Sequence, residues 1–388
     1  MSLTVIGPTH PFRGGIAHYT TLLVRSLRSG SQVQFFSYSR QYPHWLYPGN
    51  TDLDPSHRLL TKEEPSVRFD ALNPLSWLRL AREVKRSNSR LVILQWSTVY
   101  WTPFYWLFLK SLGKNRQARC VFICHNVMEH EPNWIKSAVS RRVLNCADFF
   151  ITHSEWDRHN LERWLGSSRA GAIRVNPHPL YEHLTQPTLS KAEAKDSLGI
   201  LAERVVLFFG FIRDYKGLRY LIESLPLVRE KLDVHLLIAG EVWGDAKPYH
   251  ELISRLSLTG NTTLVEKYIP NEEVARYFAA SDLVVIPYVS ATQSGIVQLA
   301  YGFGKPVVVS RVGGLPEVVE DGVTGYLVPP KDSRAICGAV LDFYQCNREA
   351  SMREAIRQKR SAFSWDRLCR TIEALARPNA HDSNSTVS

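Results

Sequence analysis

No stretch of this 388-residue sequence reaches the roughly eighteen uncharged apolar residues that a bilayer-spanning helix requires, so no membrane span is predicted. The six cysteines, Cys120, Cys124, Cys146, Cys337, Cys346 and Cys369, include no C-x-x-C pair. They read as buried thiols in a reducing compartment, not as a disulfide framework or a zinc site. The opening MSLTVIGPTH runs straight into a strand pattern, without the charged segment and apolar core of a signal peptide, and a cytoplasmic location is expected. G-x-G-x-x-G is also missing, which removes the main anchor for a nicotinamide-dependent enzyme. Acidic residues are scarce in the first half: residues 1–180 hold 23 Lys/Arg against 12 Asp/Glu, while the rest of the chain holds 24 against 25. The whole excess of +10 therefore belongs to the N-terminal half, which suggests that this half meets something anionic.

With 44% apolar and 22% charged residues, the composition is that of a folded protein. Its length predicts two domains of roughly 180 residues each. Short apolar runs alternate with helical patterns. Strands are predicted at 3–7, 33–38, 91–95, 120–124 and 149–153, then at 204–210, 234–240, 263–265, 283–287, 306–310 and 325–328. Helices are predicted between them, among them 16–28, 134–147, 218–230, 272–280 and 334–344. Such alternation implies an α/β protein with doubly wound parallel sheets covered by helices on both faces. The polar, Pro-interrupted stretch 181–194 marks the boundary, giving domains at 1–182 and 183–362. A last helix at 363–376 is expected to return to the first domain, followed by a disordered tail at 377–388. Open parallel sheets take ligands at the carboxyl ends of their strands, so chemistry is expected in a cleft between the two domains.

Three motifs sit at such strand ends. Gly14-Gly15 closes the first strand-to-helix turn and lets backbone N–H groups and a helix dipole approach an anion. In the second half, Phe208-Phe209-Gly210-Phe211-Ile212-Arg213-Asp214-Tyr215-Lys216-Gly217 joins a strand, a glycine turn, two cations and a helix start. A forked Arg beside a point-charge Lys is a sensible diphosphate clamp. Downstream lie Gly304-Lys305-Pro306, then Val312-Gly313-Gly314-Leu315-Pro316-Glu317 and Gly322-Val323-Thr324-Gly325. An Asp-x-Asp pair at Asp52 and Asp54 follows a Tyr-Pro-Gly-Asn run instead of a strand, so it reads as a polar loop and no metal site is expected.

At these residues the sequence resembles the retaining glycosyltransferases of the GT-B fold, group 1 (family 4). The resemblance is strong from about Val205 to Asp332 and includes Phe363-Ser364-Trp365; in the first half it rests on Gly14-Gly15, His125-Asn126 and His153-Ser154. It implies two Rossmann-like domains facing an interdomain cleft, the first binding the acceptor and the second the nucleotide-sugar donor. By the same resemblance, Arg213 and Lys216 neutralise the donor's pyrophosphate and His125 contacts the donor sugar. Gly14 and Gly15 close over the diphosphate, and Ile269 in Tyr268-Ile269-Pro270 cradles the base. Most members carry two glutamates with seven residues between them ahead of the Gly-Lys-Pro turn; here those positions fall on Ala291 and Leu299. A variant turn of Thr292, Gln293, Ser294 and Gly295 stands there instead and, with Gly210, is the candidate for the remaining donor contacts.

The implied reaction is retaining transfer of a hexose from a nucleotide-diphosphate sugar to a hydroxyl of a glycan or lipid-linked acceptor, in polysaccharide or glycolipid biosynthesis, with the nucleotide-sugar as substrate and no cofactor. A non-catalytic sugar- or nucleotide-binding scaffold of the same fold is the alternative. The cations of the first half alternate with aromatics: Trp101, Phe104, Tyr105, Trp106 and Phe108 are followed by Lys110, Lys114, Arg116 and Arg119. Trp101, Trp106, Lys110, Lys114 and Arg116 are therefore candidates for contact with the acceptor or with an anionic membrane surface at the inner face of the cell membrane. No nucleic-acid partner is expected, since no recognition module is present.

Overall fold

The protein's structure is a computed structural model that describes residues 1–43, 49, 51–57, 62–113, 117–127, 134–185 and 189–377, with backbone only for 134–137. The chain forms two compact units. One comprises Met1–Leu46, Lys62–Asn176 and Ser364–Ser388; the other comprises Tyr47–Thr61 and Pro177–Phe363. The division at Asn176 lies six residues before the position read from the sequence, and the segment 47–61 groups with the second unit although it falls early in the chain.

The first unit contains a seven-stranded parallel sheet of β1 (Ser2–Ile6), β2 (Gln32–Arg40), β3 (Val67–Asp70), β4 (Leu91–Trp96), β5 (Arg119–Cys124), β6 (Phe149–Thr152) and β7 (Ile173–Val175). Their order is β3-β2-β1-β4-β5-β6-β7. The edge strands β3 and β7 were not predicted, being short and carrying few apolar residues. Two apolar layers cover the sheet. On one side Trp77, Phe104, Phe108 and Val143 pack over Val92, Leu94 and Phe122. On the other, Leu23 and Leu27 of the helix Gly15–Arg28 and Leu368 and Ile372 of the helix Trp365–Ala376 pack over Leu3, Val5, Ile93 and Val121.

The second unit contains β8 (Arg204–Phe209), β9 (Val234–Ala239), β10 (Thr262–Val265), β11 (Leu283–Ile286), β12 (Val307–Ser310) and β13 (Gly325–Val328), in the order β10-β9-β8-β11-β12-β13. The runs VVLF, LLIA, LVVI and VVVS are buried throughout, as expected of parallel strands with both faces covered. Strand order reverses between β8 and β11, which pair through Leu283 with Val206 and Val284 with Leu207. At such a reversal the two following loops diverge to opposite faces and leave a crevice at the carboxyl edge.

Candidate functional site

In the second unit that crevice is flanked by the predicted motif. β8 ends at Phe209 and is followed by Gly210, Arg213 and Lys216; β11 is followed by Pro287, Tyr288 and the turn Thr292 to Gly295. Two backbone approaches lock these loops together. Gly217, at φ 67°, sits so close to Pro287 that a Cβ would lie 2.0 Å from the Pro287 carbonyl oxygen. Gly313, at φ 54°, bears on the Ala291 carbonyl in the same way, at 1.9 Å. Val289 N donates to Tyr215 O at 2.8 Å and Gly314 N to Thr292 O at 2.8 Å. The loop after β11 is therefore held on both sides by glycines whose missing side chains make the fit possible.

Lys216 lies over the face of Tyr288, with Nζ 3.8 Å from the ring centroid, and 5.3 Å from the centroid of Tyr215. Its ammonium is brought down to about 8, mainly by burial, with Tyr215 opposing the shift and the neighbouring Arg213 guanidinium adding to it. Arg213 is exposed, with its guanidinium 5.1 Å from the ring of Tyr215 and 5.2 Å from that of Trp243. A half-buried ammonium and an exposed guanidinium side by side, held by aromatic faces instead of carboxylates, keep their charge available to an anion.

The turn after β11 is ordered by Ser294, which caps the helix Gly295–Gly302 by accepting from Ile296 N at 3.2 Å and donates to Tyr288 Oη at 3.3 Å. Thr292 and Ser294 are buried and Gln293 is half-buried. The edge of β9 adds residues that the sequence reading passed over. Trp243 lies 4.5 Å from Phe211 between ring centroids and donates through Nε1 to the buried Glu241 carboxylate at 3.3 Å. Phe211 also stands 6.0 Å from Tyr268, next to the buried Ile269. The signal was available in Gly240-Glu241-Val242-Trp243-Gly244, a second glycine-bounded strand end. Lys305 of the Gly-Lys-Pro motif takes a different place: it is buried before β12, where Nζ donates to Ser281 O at 2.6 Å, and it supports the opposite end of the strands.

In the first unit, Gly14 adopts φ 103° and precedes the helix Gly15–Arg28. His125 follows β5, is 6% exposed, and its Nε2 lies 2.7 Å from Gln95 Oε1 on β4. Tyr19 packs edge-on against His125 at 4.6 Å and also touches His153 and Trp365. Burial drives His153 down to about 4, so its ring is neutral at physiological pH; its Nδ1–H donates to Asn176 O at 2.8 Å. The structure thus gathers Arg213, Lys216, Gly210 and the 292–295 turn at one sheet edge, with Ile269 on the same edge, and places His125, Gly14 and Gly15 at the corresponding edge of the other sheet.

The aromatic segment needs correction. Trp101 is 3% exposed and stacks on Tyr38 at 5.5 Å, and Phe104, Tyr105 and Phe108 are core residues, so none of these presents a surface. The helix Thr102–Leu112 turns them inward at i, i+3 and i+4 spacing and leaves Trp106, 41% exposed, and Lys110 outside. Lys114 and Arg116 lie outside the described residues. Among the described residues no group of three or more His, Cys, Asp or Glu could hold a metal ion, and no helix is long and apolar enough to cross a membrane.

Two family models match this chain: Glycosyltransferase Family 4 over residues 13–180 and Glycosyl transferases group 1 over residues 203–346. A D-inositol 3-phosphate glycosyltransferase of Corynebacterium urealyticum is 27% identical over 261 residues, covering 64% of this chain. The match spans only 61% of that relative's length. Among solved structures, sucrose-phosphate synthase from Thermosynechococcus elongatus superposes with a TM-score of 0.73 at 20% identity, covering 97% of this chain and 98% of the other. The Anabaena protein HepE, solved with UDP and glucose, gives 0.74 at 17% identity, covering 96% and 98%.

Proposed function

Because the chain belongs to the group 1 glycosyltransferases and has their GT-B architecture of two parallel-sheet domains, we propose that it transfers a hexose from a nucleotide-diphosphate sugar to an acceptor hydroxyl with retention at the anomeric carbon. The observation that carries this reading is the pair Arg213 and Lys216, two cations resting on aromatic rings at the carboxyl edge where the strand order reverses. In the proposed reaction the bond from the anomeric carbon to the phosphate oxygen breaks while the acceptor oxygen bonds to the same face. The acceptor's proton passes to the departing phosphate. Negative charge grows on the leaving diphosphate in that step, so fixed cations beside it lower the barrier.

The test uses a panel of UDP-, GDP- and dTDP-sugars with purified protein; UDP-glucose is the first probe because HepE was solved with it. One nucleotide is expected to stabilise the fold, by about 2.7 kcal/mol at 100 times its dissociation constant. Its sugar is expected to be consumed with release of nucleoside diphosphate, and NMR of the product should give the donor's own anomeric configuration. Wild-type protein that binds no member of the panel contradicts the reading. Ala291 and Leu299, at the positions of the family's paired glutamates, favour a second reading as a non-catalytic binding protein, which predicts stabilisation without consumption.

For the acceptor we propose a lipid-linked glycan on an anionic membrane surface. The helices Pro74–Arg86, Thr102–Leu112 and Trp134–Leu144 pack side by side over one face of the first sheet. Outward they present Leu75, Trp106 and Val139 together with Arg79, Arg82, Lys85, Arg86, Lys110, Arg141 and Arg142, against the single Glu83. Lys110 Nζ lies 4.5 Å from the Trp106 ring centroid. Each such cation contributes about 1 kcal/mol at an anionic leaflet. Vesicles containing phosphatidylserine should therefore co-sediment the protein where pure phosphatidylcholine does not. Combined Arg79→Glu, Arg82→Glu and Arg86→Glu should abolish that binding, and equal binding to both lipids would contradict it.

A further inference from the structure

The helix Asn271–Ala280 carries Val274, Tyr277 and Phe278 into the core of the second unit and begins directly after Tyr268-Ile269-Pro270. Its start has no side-chain cap from the N-cap residue. The N-cap position is Pro270, which has no side chain that could accept a hydrogen bond. The first N–H groups of a helix have no intrahelical acceptor and must find one elsewhere.

Here the acceptor comes from more than two hundred residues earlier in the sequence. Ser56 Oγ accepts from Asn271 N at 2.8 Å, and Asp54 Oδ2 accepts from Asn271 Nδ2 at 3.0 Å. In return His57 N donates to Glu272 Oε1 at 3.0 Å. The segment is internally braced, since Asp54 Oδ1 accepts from both Ser56 N, at 2.9 Å, and Ser56 Oγ. Asn271 is 5% exposed, so removing Asp54 would strand a buried amide. Asp54 also sets a negative charge against the positive end of the helix dipole. The residues that read as a polar Asp-x-Asp loop thus supply the cap their distant partner lacks.

We propose that Asp54-Pro55-Ser56-His57 is a positioning segment for the nucleobase loop. By fixing where Asn271 begins its helix, it fixes Pro270 and Ile269, and so governs affinity for the base of the donor nucleotide separately from the cations that hold the diphosphate. This rests on the reading of Tyr268 to Pro270 as the base-binding loop under the proposed function. Ser56 and Asp54 do not touch the substrate; they act through Asn271.

Removing a helix cap lowers stability by itself, so a melting temperature cannot distinguish the proposal from a purely structural cap. Two ligands can: the nucleoside diphosphate chosen by the panel, and inorganic pyrophosphate, which has no base. Titration calorimetry on Asp54→Ala and Ser56→Ala is expected to show a five- to tenfold weaker nucleoside diphosphate and unchanged pyrophosphate. The donor KM should rise by a similar factor with kcat within twofold, and Ser56→Thr, which keeps the acceptor, should restore both. Asn271→Ala, which removes the same bond from the other side, carries the comparison should Asp54→Ala not fold. Unchanged nucleotide affinity in folded variants, or equal weakening of both ligands, overturns the positioning role while leaving the transferase reading intact. Wild-type protein that binds pyrophosphate but no nucleotide overturns the base-loop reading and the proposal with it.

Discussion

Lys216→Ala is expected to lower kcat by about 10² to 10³-fold, the effect of removing one fixed donor from a developing oxyanion. The lysine is suited to that role because its surroundings withhold a counter-ion. Its ammonium rests on the Tyr288 ring at 3.8 Å, and burial with Arg213 beside it brings it down to about 8. A cation that is costly to keep charged gains most from a diphosphate, which replaces the missing solvent and counter-charge in one step. The pH dependence follows with a definite sign. As pH rises through about 8 the free protein loses this charge, so kcat/KM should fall on the alkaline side near that value. Bound diphosphate favours the ammonium, so the alkaline limb of kcat should lie higher. Lys216→Arg should remove the limb altogether, because a guanidinium stays protonated. Steady-state rates across pH 6 to about 10 on wild type and both variants check this, and a limb that survives Lys216→Arg assigns the titration to another group.

Gly217→Ala is expected to cost about 3 kcal/mol or more in stability, near the upper range for single substitutions, and to abolish nucleotide binding with it. Two penalties add. The backbone at φ 67° is left-handed, which costs a residue with a Cβ about 1–2 kcal/mol. The new methyl would also stand 2.0 Å from the Pro287 carbonyl oxygen, which cannot retreat without moving the Tyr288 loop that supports Lys216. Gly322→Ala is the control. Its φ of 73° is equally left-handed, but nothing lies within 4 Å of the added Cβ, so only the backbone penalty remains. Chemical denaturation should separate the two by about 1 kcal/mol or more, and equal losses would show that the close approach to Pro287 carries no energy.

The same residues show how much of the molecule could be read in advance. Eleven strands were visible because parallel strands buried on both faces are written as unbroken β-branched runs, such as VVVS and LVVI. Val67–Asp70 and Ile173–Val175 were not, because each is only three or four residues long and is interrupted by an arginine. Arg213 and Lys216 were legible because a glycine turn between strand and helix fixes them locally. Their partners were less so: Tyr288 and Trp243 meet them only because β11 and β9 flank β8, which is a matter of strand order and not of neighbouring sequence. Trp101 was misplaced because a run of aromatics followed by lysines looks like a surface, whereas i, i+4 spacing turns most of them inward. Least legible was the segment from Asp54 to His57. Nothing in its composition announces that its hydrogen bonds lie about 215 residues away.

The most direct test of the diphosphate grip is titration calorimetry of the same nucleoside as its mono- and diphosphate, on wild type and on the Arg213→Ala, Lys216→Ala double variant. Wild type should prefer the diphosphate strongly, and the double variant should bind both forms with nearly the same weak affinity. A double variant that keeps the wild-type preference would contradict the account, because the β-phosphate would then be held by other groups.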